Sequence, residues 1–126
     1  VRAILDTSVL ISDSAPAGVD AAISVASLAE LHFGVGVAVE ADERARRTQR
    51  LGAIEATFEA LPVTSAIARE WGRLAAAVTA RGDQPRRRAI DLVIAATANL
   101  HEVVVMTENL PDFEIISDLV DVRAPQ

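Results

Sequence analysis

Val1-Arg2-Ala3-Ile4-Leu5-Asp6-Thr7-Ser8 opens the chain with a short apolar run that stops abruptly at an acid and two hydroxyls. Such a run reads as a buried strand that delivers Asp6, Thr7 and Ser8 at its carboxyl end. Val103-Val104-Val105-Met106, followed by Thr107-Glu108-Asn109, repeats the pattern late in the chain. Between the two lie helical patterns. Ser27-Leu28-Ala29-Glu30 is expected to open one helix, and Ala45, Leu51, Ile54 and Phe58 form the apolar stripe of another between Ala41 and Ala60. Thr64 caps a third through Thr79, and Arg86 to Asn99 makes a fourth. Weaker strand signals sit at Ala21–Val25, Leu61–Val63 and Val120–Val122. Strands separated by helices imply a parallel sheet with crossover connections, hence a small three-layer α/β domain.

Composition narrows the chemistry. The 126 residues include no cysteine, which removes disulfide scaffolds, zinc knuckles, iron–sulfur clusters and thiol catalysis. All 12 basic residues are arginines, so Schiff-base chemistry and a P-loop lysine are also excluded. Four aromatic residues (Phe33, Phe58, Trp71, Phe113) are too few for a base-stacking platform. A net charge of −6 would repel nucleic acid unless arginines cluster locally or cations intervene. No apolar run reaches the roughly 18 residues of a membrane span, and no signal-like segment opens the sequence, so a cytoplasmic protein without membrane contact is expected.

Sites in open α/β sheets form beyond the carboxyl ends of the strands. Asp6 ends the first strand there, and Thr107, Asn109 and Asp112 follow the last clear one. Glu30 and Asp91 stand in the first turns of helices that start at the same rim. Carboxylates drawn from four segments can share a point only around positive charge, and an oxygen-only set suits Mg²⁺ or Mn²⁺. One or two such ions would supply what phosphodiester hydrolysis requires, without lysine or histidine. Bland readings stand beside this one. Ser27-x-x-Glu30 matches a capping box, Arg87 or Arg88 could pair with Asp91, and Asn109 and Asp112 suit a turn. His32 and His101 read as structural or surface residues. Arg44, Arg46, Arg47 and Arg50 read as a solvated mixed-charge face, whereas Arg86, Arg87 and Arg88 beside the rim are candidates for contact with an RNA backbone.

Asp6-Thr7-Ser8, Ser24-x-x-x-x-x-Glu30-Leu31, Asp91-Leu92-Val93-Ile94-Ala95-Ala96 and Thr107-x-Asn109-x-x-Asp112-Phe113 resemble, in order and spacing, the PIN-domain ribonucleases. Within them the VapC toxins of toxin–antitoxin pairs are the most similar. The resemblance implies a single PIN-like domain over residues 1–126, with α/β/α layers and a small, mainly parallel sheet. It also implies an endoribonuclease dependent on Mg²⁺ or Mn²⁺, a transfer or ribosomal RNA substrate, a homodimer and a cognate antitoxin. Asp6, Glu30 and Asp91 take the places of the family's core acids, and Asp6, Asp91 and Asp112 those of metal ligands, with Thr7, Ser8, Thr107 and Asn109 in support. Family members often carry Asp where Asn109 stands, so either Asp112 supplies the fourth catalytic charge or the site runs on three. A degenerate, non-catalytic PIN scaffold remains the alternative. A signalling receiver domain would need a lysine that the chain lacks.

Overall fold

The computed structural model describes residues 1–125. Its centre is a five-stranded, wholly parallel sheet in the order β3-β2-β1-β4-β5. The strands are short: β1 Ala3–Leu5, β2 Ala21–Ser24, β3 Ala60–Leu61, β4 Val104–Met106 and β5 Val122–Arg123. Helices α1 Thr7–Ser12, α2 Val25–Gly36, α3 Ala41–Thr57, α4 Ser65–Ala80 and α5 Ala89–His101 connect them. Two 3₁₀ turns, Pro85–Arg88 and Leu110–Ile116, precede α5 and follow β4.

Strand side chains alternate between faces, and that alternation sorts the core into two layers. Ile4, Ala22 and Val105 face α4 and α5, packing with Ile67, Leu74, Val78, Leu92, Ile94 and Phe113. Leu5 and Ile23 face the other way, onto Val9 and Leu10 of α1, Leu31 of α2, and Leu51 and Ile54 of α3. Of the α3 stripe, Leu51 and Ile54 are buried in this layer, while Phe58 is half-buried and Ala45 exposed. Pairing of Leu5 with Met106 in register brings the carboxyl ends of β1 and β4 level. Asp6 and Thr107 therefore emerge side by side. No helix among the described residues is long and apolar enough to cross a membrane.

Helix α1 is not expected from the sequence, and strands β3 and β5 are shifted by one or two residues from the expected Leu61–Val63 and Val120–Val122. Two further boundaries bear on the site. Helix α2 begins at Val25, directly off β2, with Ser24 as its N-cap accepting from the Ala26 amide at 3.0 Å. Ser27 is therefore inside the helix and the Ser27–Glu30 capping box does not form. The expected helix from Arg86 is split as well, because Pro85–Arg88 winds as a 3₁₀ turn and Arg88 has φ −119°, ψ 17°. Three consecutive arginines at a helix N-terminus oppose its dipole, so the α-helix begins only after them, with Asp91 in its first turn.

Candidate active site

Asp6 is the hinge of the rim. Its backbone amide donates to the Met106 carbonyl at 2.8 Å, and its side chain is 5 % exposed. It stands at the N-cap position of α1 but caps no amide with its carboxylate. Instead Oδ2 accepts from Ser8 Oγ and from Thr107 Oγ1, each at 2.7 Å. Those hydroxyls are held in turn, since Ser8 Oγ accepts from the Glu108 amide at 3.1 Å and Thr107 Oγ1 from the Asn109 amide at 2.9 Å. One oxygen of Asp6 is thereby fixed by a ring of neutral donors, and Oδ1 is left for another partner.

A second pair supports Glu30. Thr7, buried at the start of α1, donates from Oγ1 to Glu30 Oε1 at 2.6 Å and stands 3.0 Å from Ser27 Oγ. Glu30 lies in the second turn of α2, too far in for a cap, and is exposed toward the rim. Its only bonded neighbour within the described residues is thus a hydroxyl from a different element, which orients the carboxylate without neutralising it.

Asp91 shows where these groups meet. Its carboxyl is pushed up to about 7, first by burial, then by the charges of Asp6, Asp112 and Glu30, with Arg88 opposing them. Four acids from four segments therefore act on one locus. Among the described residues no three of them close into a finished cation cage, in keeping with the mutual repulsion of bare carboxylates. The donor set is carboxylate and hydroxyl oxygen throughout, which fits a hard divalent ion.

The chain of contacts matches more than a composition. Residues 3–114 match the PIN domain family. The chain belongs to that family. This PIN domain is 36% identical over 127 residues to Ribonuclease VapC5 of Mycobacterium tuberculosis, covering 95% of this chain and 91% of that protein. It is 32% identical over 128 residues to Ribonuclease VapC4 of the same organism, covering 92% and 96% respectively. Its fold superimposes with a TM-score of 0.80 on the crystal structure of VapBC-5, a toxin–antitoxin system member from M. tuberculosis, at 33% identity over 100% of this chain and 99% of that one.

Within this PIN domain, the positions singled out by sequence fall into two groups. Asp6, Glu30, Asp91 and Asp112 act on one locus, and Thr7, Ser8 and Thr107 bond to two of them. Asn109 contributes its backbone amide to Thr107, while Asp112 contributes charge. Of the three arginines, Arg86 and Arg87 are exposed, but Arg88 is engaged. Its Nε donates to Asp83 Oδ2 at 2.9 Å and its Nη1 donates to the Asp112 carbonyl. Arg88 does not form an ion pair with Asp91. His32 meets Glu55 of α3 at 3.1 Å and His101 is exposed at the end of α5. Sequence reasoning missed Ser24 as the cap, Ser27 beside Thr7, and Asp83, whose spacing of five residues from Arg88 was the available signal.

Proposed function

We propose that this PIN domain is an endoribonuclease, the toxin of a toxin–antitoxin pair, and that it hydrolyses RNA phosphodiester bonds with Mg²⁺ or Mn²⁺. The observation that carries the reading is the raised carboxyl of Asp91 under the combined charge of Asp6, Asp112 and Glu30. Such a cluster is unfavourable by itself and becomes favourable around a cation. The relatives named ribonucleases VapC5 and VapC4 supply the reaction class, and the VapBC-5 complex supplies the kind of partner.

Asp6, Asp91 and Asp112 would hold the ion. When bound, it would neutralise charge on the phosphodiester and make the attacking water more acidic. The chain's own groups do the positioning. Ser8 and Thr107 fix one oxygen of Asp6 and so set the direction of the other. Thr7 holds Glu30 with a free oxygen toward the rim, where it can accept a proton from water. Arg88 ties the turn carrying Asp112 to the start of α5, so that Asp91 and Asp112 approach the locus as one unit. Asp112 rather than Asn109 is the fourth charge.

The direct test is cleavage of bulk tRNA and rRNA by purified protein. Wild type should cleave in Mg²⁺ or Mn²⁺ and fall silent in EDTA without unfolding. Asp6→Ala should lose at least a hundredfold in rate while the protein stays folded, the relief of carboxylate repulsion offsetting part of the loss of the Ser8 and Thr107 hydrogen bonds. A wild-type rate from Asp6→Ala would show that the acidic rim is not the catalytic centre. Rate loss with an intact rim and no metal response would favour the degenerate scaffold.

A further inference from the structure

Three of the four arginines of α3 have their donors assigned. Arg44 donates to the Ala38 carbonyl at 2.7 Å. Arg46 and Arg47 pair with Glu43 at 2.7 and 2.8 Å, and Arg47 also donates to the Gly34 carbonyl at 2.6 Å. Arg50 differs. Its Nε is shielded from solvent and has no hydrogen-bond partner among the described residues. Buried donors are nearly always satisfied, since the lost water bonds must be replaced. The residue as a whole is only half-buried, so the rest of its guanidinium stays within reach of a ligand.

Arg50 borders a cleft of about 300 Å³ whose other walls include Ile11 of α1, Glu30 and Leu31 of α2, and the Glu43–Arg47 pair of α3. Glu30 belongs equally to the acidic rim, so the cleft and the candidate active site share that residue. Glu43 is shared between Arg46 and Arg47, so that cluster keeps one net positive charge beside its carboxylate. Arg50 is the arginine on this cleft that no carboxylate engages among the described residues, and it lines the cleft together with Glu30 of the rim. A phosphodiester chain whose reacting phosphate sits at the acidic rim must carry its neighbouring phosphate away from that rim, and a cation one step along is what that neighbour requires.

We infer that this cleft is a substrate subsite in which Arg50 binds an RNA phosphate adjacent to the one cleaved, a reading that rests on the nuclease function proposed above. The guanidinium fork suits a phosphate's paired oxygens. Ile11 and Leu31 give the intervening sugar and base an apolar wall without base-specific donors, so the contact reads backbone and not sequence. A protein carboxylate could also satisfy Arg50, reaching it from its other side, where a groove of about 720 Å³ is lined by Leu10, Pro16, Ile54 and Phe58. The shared Glu30 favours the nucleic acid.

The test uses an Asp91→Asn parent, which should bind RNA without cutting it, and a labelled mixed-sequence single-stranded RNA oligonucleotide read by fluorescence anisotropy across a salt series. Arg50→Gln should weaken binding about tenfold at low salt and flatten the slope of log affinity against log salt by about 0.7, the value of one phosphate on a single strand. Arg50→Lys should keep that slope and lose no more than about threefold in affinity, which also covers the case of a poorly folding glutamine variant. In the cleaving wild-type background, Arg50→Gln should raise KM with little change in kcat. Unchanged affinity and slope in a parent that does bind RNA overturns the subsite while leaving the nuclease reading intact. So does unchanged RNA binding accompanied by loss of binding to a protein partner. A wild type that neither binds nor cleaves RNA removes the nuclease reading first, and the subsite with it.

Discussion

With its carboxyl pushed up to about 7 by burial and by three neighbouring acids, Asp91 holds a proton in the folded chain at pH values where the unfolded chain has released it. The sign follows from linkage. Stability attributable to this proton is complete below the ordinary value of 3.8 and is lost as pH rises through that value to about 7. The full shift would correspond to ~4 kcal/mol, but the group is partly solvated, and screening reduces the expected loss to about 1–2 kcal/mol. Metal-free protein should therefore melt several degrees lower at pH 8 than at pH 4.5. Asp91→Asn should flatten that dependence, and Mn²⁺ should raise the wild-type melting temperature more at pH 8 than at pH 5. Calorimetry across pH checks all three, and an Asp91→Asn protein as pH-sensitive as wild type would refute the assignment. Asp6 and Asp91 were legible in the sequence because each interrupts an apolar segment that must be buried. Glu30 was legible as an acid and ambiguous in role, since a serine three residues earlier makes a cap by pattern alone.

The environment of Arg88 depends on how two turns meet. It donates to Asp83, before its own 3₁₀ turn, and to the carbonyl of Asp112, in the other turn. These bonds tie together the segments that present Asp91 and Asp112. Arg88→Ala should cost about 1.5–3 kcal/mol, the scale of hydrogen bonds to a charged group, and should weaken Mn²⁺ binding without removing any ligand. Calorimetric titration of Arg88→Ala with Mn²⁺ reads this directly, and wild-type affinity would show that the clamp is purely structural. The sequence placed Arg88 beside the site as a candidate for RNA contact and could not foresee these bonds, because charge near a rim says nothing about which carbonyl lies across from it. The boundary of α2 was hidden for a related reason. Strand β2 passes straight into the helix, so no loop composition marked Ser24 as the cap. By contrast Thr64 was readable, and it accepts from the Ile67 amide at 3.2 Å, since Leu61-Pro62-Val63 isolates it from what precedes.

At the scale of the whole molecule, the parallel sheet and its layers were legible because short β-branched runs alternate with helical stripes, and crossover geometry leaves little choice of topology. The spatial order β3-β2-β1-β4-β5 was not, because strand order depends on packing between helices far apart in sequence. That order is what collects the acids of four segments on one rim of a chain with net charge −6, and it determines what kind of partner can silence the site. A guanidinium matches a carboxylate bidentately, so an inhibitory segment of the proposed antitoxin is expected to place an arginine among Asp6, Glu30, Asp91 and Asp112. Such a residue would take the position proposed for the divalent ion and occlude substrate phosphate at once. Inhibition and metal binding would then be mutually exclusive, and linkage requires each to weaken the other by the same factor. Titrating Mn²⁺ into the free protein and into its antitoxin complex should show at least a tenfold weaker apparent metal affinity in the complex. Excess Mn²⁺ should correspondingly loosen the antitoxin. Equal metal affinity in both, with activity abolished, would mean that the antitoxin blocks substrate access from outside the acidic rim and that no cation of its own enters it.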